Sequence, residues 1–121
     1  MLGFTLIELM VVLAVVGMLL SIGLPRYMQS LEKAKCVVLK EGLASMRFAI
    51  DRFHEDKGRF PGSLDELVVE RYLTRIPIDP ILESAVHWLP VSAKHGAGAG
   101  VADVRSTATG VGWDGVLYSD Y

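Results

Sequence analysis

Phe4-Thr-Leu-Ile-Glu-Leu-Met-Val-Val-Leu-Ala-Val-Val-Gly-Met-Leu-Leu-Ser-Ile-Gly-Leu24 decides the fold of this chain. Sixteen of these twenty-one residues are apolar, and Glu8 is the only one with an ionisable side chain. As a helix, the stretch is about 31 Å long, enough to cross the hydrocarbon core of a bilayer. A carboxylate at membrane depth costs roughly 2.5–3.5 kcal/mol and is usually retained for a functional partner. The stretch therefore predicts a membrane-anchored part of an assembly.

The rest of the chain has the composition of one small soluble domain. With 121 residues in total, about a hundred remain for a head after the apolar stretch. Twelve basic residues face thirteen acidic ones after Glu8, so we expect no basic patch and no nucleic-acid partner. Cys36 is the only cysteine, which excludes an internal disulfide.

Helical periodicity resumes after the apolar stretch. Five apolar residues recur at spacings of four, three, four and three, and so share one face of an amphipathic helix that reaches to about Lys57: Leu39, Leu43, Met46, Ile50 and Phe53. Gly58 ends this helix. Ser63-Leu-Asp-Glu66 has the pattern of a capping box and predicts a short second helix from about Leu64 to Tyr72.

The last forty residues predict a small β-sheet. Three short segments carry β-forming residues between glycine-rich connections: 86–91, 101–105 and 116–118. We expect three antiparallel strands packed on the long helix, and hence an α+β fold. Gly96-Ala-Gly-Ala-Gly100 lacks the G-x-G-x-x-G spacing of nucleotide-binding loops, so a flexible hairpin loop is expected there.

Residues for catalysis are scattered. His54, His87 and His95 form no metal-binding pair, and no serine stands in a G-x-S-x-G motif. Cys36 falls on a predicted core helix. The sequence therefore predicts that the chain is not an enzyme.

The start of the chain resembles a known processing signature. Gly3-Phe-Thr-Leu-Ile-Glu-Leu-Met-Val-Val12 is similar to the signature of type IV pilins and of type II secretion pseudopilins. The resemblance implies cleavage between Gly3 and Phe4 by a prepilin peptidase, N-methylation of Phe4, and assembly roles for Glu8 and for Pro25, a helix-kinking proline. Lys57-Gly-Arg-Phe-Pro61 and Pro77-Ile-Asp-Pro80 are similar to the central region of major pseudopilins.

The spacing of Phe4 and Glu8 can also be explained physically, without the family resemblance. Cleavage would leave a free amine at Phe4, one helical turn from Glu8 and on the same face. Within the family, the carboxylate is thought to meet the amine of a neighbouring subunit, which would neutralise both charges and set the register of a filament. The alternative is a monomeric anchor in which Glu8 snorkels to the interface or stays protonated.

The resemblance implies a pilin-like fold with three parts: a short leader (1–3), a membrane-spanning assembly helix (4–25) and a periplasmic head (26–121). The chain would be a structural subunit of a type II secretion pseudopilus, held in the inner membrane before assembly. Its partners would be other pilin-like subunits, the prepilin peptidase and the inner-membrane assembly platform. Two alternatives remain: a type IV pilus subunit for adhesion, motility or DNA uptake, and a single-span anchor that presents a binding head.

No cofactor is expected, with one exception to consider. Major pseudopilins use calcium to fasten their C-terminal loop, and the oxygen-rich tail of this chain offers Asp114, Ser119 and Asp120 as candidates. The tail resembles theirs only loosely. Turn formation by Asp114-Gly115 is the alternative.

The leader departs from the family pattern. Met1-Leu2-Gly3 lacks the Lys or Arg that such leaders usually carry, whereas Arg26, Lys33 and Lys35 follow the apolar stretch. Counted simply, these charges favour the opposite orientation in the membrane. We therefore expect the true translation start to lie upstream of Met1.

Overall fold

The computed structural model describes residues 3–93 and 99–121. Its elements are α1 (Leu6–Lys57), α2 (Leu64–Val69), β1 (Trp88–Ser92), β2 (Val101–Ser106) and a 3-10 helix (Tyr118–Asp120). By internal contacts the chain divides into two units, Met1–Glu32 and Lys33–Tyr121. The arrangement confirms the predicted pilin-like α+β class, with a long N-terminal helix and a small antiparallel sheet. The Gly96–Gly100 loop prediction falls mostly outside the described residues.

Helix α1 continues through Pro25 without a break and ends where the sequence predicts. Proline lacks an N–H, so it removes one internal hydrogen bond, yet the backbone is helical on both sides of Pro25. At the C-terminal end, the Gly58 N–H donates to the carbonyl of His54 at 2.9 Å. Gly58 has a φ of 69°, the left-handed conformation that commonly follows a helix.

The core of the second unit lies on one face of α1. All five residues of the predicted apolar stripe are fully buried, which confirms the periodicity argument: Leu39, Leu43, Met46, Ile50 and Phe53. The Phe53 ring meets the Tyr72 ring edge-on at 5.3 Å between centroids. Leu67 from α2 and Trp88 and Val104 from the two strands complete the same cluster. Burial of this stripe fixes α1 to the rest of its unit.

Helix α2 is shorter than predicted. It ends at Val69 because Arg71 adopts a φ of 63°, and the N–H groups of Tyr72 and Leu73 both turn back to the Leu67 carbonyl. The predicted capping box is half formed. Glu66 reaches back as expected, but its Oε2 accepts from the Gly62 N–H at 2.6 Å, and the Ser63 side chain makes no capping bond.

The sheet has two antiparallel strands in the described part of the chain, with Trp88 opposite Ser106 and Pro90 opposite Val104. The prediction of a third strand at 116–118 is wrong. Gly110 and Gly115 both have positive φ, so this segment folds back on itself and forms an isolated bridge between Val111 and Leu117. A turn of this kind satisfies its own backbone groups and leaves no extended run to pair with β2.

A buried carboxylate joins the loop after Pro77 to the end of β2. Asp79 is almost fully buried, and its Oδ2 accepts the hydroxyl of Ser106 at 2.6 Å. Its Oδ1 accepts the N–H groups of Ile81 and Leu82, at 2.8 and 3.2 Å. Both oxygens are therefore satisfied, as a buried polar group requires.

Candidate functional site

The N-terminal turn of α1 holds the predicted assembly residue in a specific geometry. Thr5 is the residue before the helix, and its Oγ1 accepts the N–H of Glu8 at 3.2 Å. The Glu8 Oε2 accepts the N–H of Thr5 in return, at 3.5 Å. This reciprocal pair is a capping box. The carboxylate of Glu8 thus has a partner in its own chain, at the helix end that favours negative charge.

The predicted processing site precedes the helix. Gly3 and Phe4 have non-helical backbone, and a side chain at Gly3 would meet nothing within 4 Å. The Phe4 side chain is 85% exposed. A peptidase needs access to the backbone that it cleaves, and this non-helical, exposed segment allows cleavage at Gly3–Phe4. Met1 and Leu2 of the predicted leader lie outside the described residues.

The apolar part of α1 has no cover within its own unit. Every described residue up to Ala34 is exposed, including the large apolar side chains between Phe4 and Leu24. Among the described residues, α1 is the one helix long and apolar enough to cross a membrane, by length and composition. An exposed apolar surface of this extent marks a membrane or protein contact. Pro25 is exposed as well, within the same surface.

Three cations on α1 stand opposite the tail of the chain. Lys33, Lys40 and Arg47 are spaced by seven residues, about two helical turns, and so share one face of the helix. We call them the basic row, and residues 110–121 the C-terminal segment. The Lys33 ammonium lies 4.8 Å from the centroid of the Trp113 ring. The contacts of the other two involve Asp114 and Tyr121.

Lys40 forms an ion pair with Asp114, one of the three residues that the sequence offers as calcium candidates. Its Nζ lies 2.7 Å from Asp114 Oδ2 and 4.6 Å from the centroid of the Tyr121 ring. The Tyr121 hydroxyl donates to Asp114 Oδ1 at 2.7 Å, and the Val116 N–H donates to the same oxygen at 3.2 Å. The hydrogen bond from Lys40, and then that from Tyr121, lower the pKa of Asp114 to about 2.

Arg47 joins three parts of the head. Its Nε donates to Asp103 Oδ1 at 2.7 Å, and its Nη2 donates to the Val104 carbonyl at 3.0 Å. The same Nη2 donates to the main-chain oxygen of Tyr121 at 2.6 Å. One guanidinium on α1 therefore holds both β2 and the end of the C-terminal segment.

The donors around Asp114 do not fit a calcium ion as they stand. Calcium takes six to eight oxygen ligands, whereas here an ammonium, a hydroxyl and an amide point at the carboxylate. Ser119 and Asp120 lie in the 3-10 helix, and the described residues contain no group of three or more His, Cys, Asp or Glu side chains placed to share a metal. Calcium at these positions stays a prediction.

The remaining candidate side chains lie apart from one another. Cys36 is buried on α1 beside the Tyr121 hydroxyl, and burial is the main reason that the pKa of Tyr121 rises above its usual value. His54 stacks on Phe60, with 4.1 Å between ring centroids. The Nδ1 of His87 is 2.9 Å from Ser84 Oγ. His95 is outside the described residues. The structure brings none of the described members of this set together.

Comparison with known proteins identifies a sequence motif over the N-terminal part of α1. A family profile described as the prokaryotic N-terminal methylation motif matches residues 2–24. Type II secretion system core protein G of Pseudomonas aeruginosa is 31% identical over 94 residues, which cover 64% of this chain and 66% of that protein. The chain is therefore similar in sequence to type II secretion system core protein G. This similarity, the methylation motif and the long apolar helix fit a pilin-like protein.

Two other relatives show how much of the chain this similarity covers. Core protein G of Pectobacterium carotovorum is 32% identical over 94 residues, covering 64% of this chain and 60% of the relative. The fimbrial protein of Neisseria meningitidis serogroup B is 39% identical over 64 residues, covering 50% of this chain and 36% of the relative. The chain thus spans 66% and 60% of the length of these two core G proteins. No solved structure matches it.

Two features of the structure were not recognised in the sequence. The Thr5-Leu-Ile-Glu8 pattern is a readable capping-box signal, hidden because the apolar stretch dominates that region. The basic row was readable as a seven-residue repeat, but its partners stand more than fifty residues away in sequence. Spacing alone could not show that these cations face the C-terminal segment rather than solvent.

Proposed function

We propose that this chain is a structural subunit of a type II secretion pseudopilus. It would be cleaved between Gly3 and Phe4, methylated at the new N-terminus, kept in the bacterial inner membrane, and assembled with other pilin-like subunits. Its head would lie in the periplasm. The prepilin peptidase and the inner-membrane assembly platform would act on it, and no cofactor would take part.

The uncovered apolar surface of α1 is the observation that carries this proposal. A soluble head does not need a helix whose first part is entirely exposed and predominantly apolar. A bilayer covers that surface in a free subunit, and the same surface of neighbouring subunits covers it in a filament. The methylation motif over residues 2–24 and the similarity to core protein G support this assignment over other membrane anchors.

Processing is tested by the mass of the mature chain. We expect co-production of the full chain with a prepilin peptidase to remove Met1-Leu2-Gly3 and to add one methyl group at Phe4, seen by intact mass spectrometry. A Gly3→Val variant is the control, because a branched side chain at this position would block the peptidase while leaving α1 intact. An unchanged N-terminus in the wild-type chain would contradict the proposal.

Assembly is tested at Glu8. The test uses cells that also produce the peptidase and the assembly platform. There we expect Glu8→Ala to abolish sedimentable, cross-linkable filaments, because the N-terminal amine of the neighbouring subunit would lose its carboxylate partner in apolar surroundings. Glu32→Ala removes a carboxylate from the same helix and should assemble normally. If Glu8→Ala subunits form filaments in wild-type amounts, the charge pairing between subunits is wrong.

A type IV pilus subunit is the less favoured alternative. The similarity to a fimbrial protein covers only half of this chain, whereas the similarity to core protein G extends further. The two are distinguished by complementation: we expect the chain to restore secretion in a strain that lacks core protein G. Restoration of surface pili instead, in a strain that lacks its major pilin, would favour the alternative.

A further inference from the structure

The C-terminal segment contacts α1 through side chains around Asp114. Its backbone makes few bonds with the rest of the head, since its N–H groups at Gly112, Tyr118 and Asp120 all donate within the segment itself. Side chains must therefore hold it to α1. Within the described residues 110–121, Asp114 is the acidic side chain that forms an ion pair with α1.

Lys40 places a positive charge next to Asp114. It contacts both Asp114 and the ring of Tyr121, so one ammonium binds two side chains seven residues apart in the segment. The Asp114 side chain is 22% exposed, less than half the 50% exposure of Lys40, and the contact is therefore partly shielded from solvent. The carboxylate oxygens are taken by donors that a divalent cation would have to displace.

We infer that the Lys40 ammonium is the cation that fastens the C-terminal segment to α1, in place of a bound calcium ion. Lys33 over Trp113 and Arg47 on the main-chain oxygen of Tyr121 extend the same attachment on either side. The head therefore keeps its tail in place without a metal. This inference concerns the folded head and holds whether or not the chain assembles into filaments.

Hydrogen exchange of the full chain in detergent micelles tests the inference. The readout is amide exchange within residues 110–121, measured by mass spectrometry. For Lys40→Met we expect exchange in this segment to accelerate roughly tenfold, because the methionine keeps the apolar stem and removes only the charge. Lys40→Arg should restore most of the protection. Lys35→Met, on the same helix but without an ion pair in the described structure, is the matched control.

The effect of added calcium on exchange is a second test of the inference. For the wild-type chain we expect the same exchange rates with a chelator and with millimolar calcium chloride. We also expect about 1 M sodium chloride to accelerate exchange in the wild type more than in Lys40→Met, since salt screens a partly exposed ion pair. Slower exchange on addition of calcium to the wild type would overturn the inference, and so would wild-type protection in Lys40→Met.

Discussion

Replacing Arg47 by methionine should be among the most damaging changes outside the apolar core. Among the described side chains of α1, Arg47 is the one that hydrogen-bonds both to β2 and to the end of the C-terminal segment. Methionine keeps the length and the apolar stem, so the change removes the guanidinium and little else. The loss of stability then measures the contacts of that group.

The expected cost follows from the three bonds. The ion pair with Asp103 is about one-third exposed on both sides, at 35% and 40%, so it contributes roughly 0.5–1 kcal/mol. Each of the two bonds to carbonyl oxygens, of Val104 and Tyr121, contributes about 1 kcal/mol. Together they predict a loss of about 2.5–3 kcal/mol in the free energy of unfolding, and a fall in melting temperature of roughly 10 °C or more.

Unfolding of the full chain in detergent micelles, followed by tryptophan fluorescence in a Trp113→Phe background, measures this loss. Trp88 reports on the head, because its side chain is in the core and its indole N–H donates to the Pro77 carbonyl at 2.8 Å. Arg52→Met is the control: its guanidinium lies 5.9 Å from the exposed Phe48 ring, and its removal should cost less than about 0.5 kcal/mol. Equal stability of the Arg47 and Arg52 variants would refute the argument.

Two further changes test the head. Gly100→Ala should destabilise by more than about 2 kcal/mol, because its new Cβ would lie 2.7 Å from the Cβ of Phe60 and its φ is 146°; Gly58→Ala has open space and should cost only about 1 kcal/mol of backbone strain. Glu66→Gln should make the stability of the head depend less steeply on pH in the acid range. The pKa of Glu66 lies below its usual 4.5, chiefly through the Arg59 hydrogen bond, so its contribution is present above about pH 4.5 and is lost as the pH falls through the lower folded-state value. Thermal unfolding at a series of pH values checks the Glu66 prediction. The same dependence of the melting temperature on pH in Glu66→Gln and in the wild type would contradict it.

The long helix was predictable because two independent signals agree on it. The apolar stretch is dense enough to read without context, and the stripe from Leu39 to Phe53 keeps the helical period over four turns. Gly58 then marks the end, where its left-handed backbone is used. Local patterns of this kind depend on neighbours within one or two turns, which is the range over which sequence is informative.

The tail was not predictable in the same way. Val116-Leu-Tyr118 has the residues of a strand, but two glycines with positive φ direct it into a turn. Its position on α1 depends on contacts such as Lys40 with Asp114, across seventy-four residues. A charged residue on a helix is ordinarily exposed, so nothing local marks Lys40 or Arg47 as a contact. Pairings of this range become visible only in the folded chain.

The capping box at Thr5 and Glu8 changes how the acidic residue should be understood. The sequence argument was that a carboxylate in an apolar stretch needs an outside partner. The structure shows that Glu8 already has one, in the N–H of Thr5 at the positive end of α1. A neighbouring amine must then compete with this cap, so the gain from pairing is a difference between two states rather than the full cost of an isolated charge. We therefore propose that filament assembly needs both the exposed apolar surface of α1 and Glu8, which would set the register in which that surface is covered.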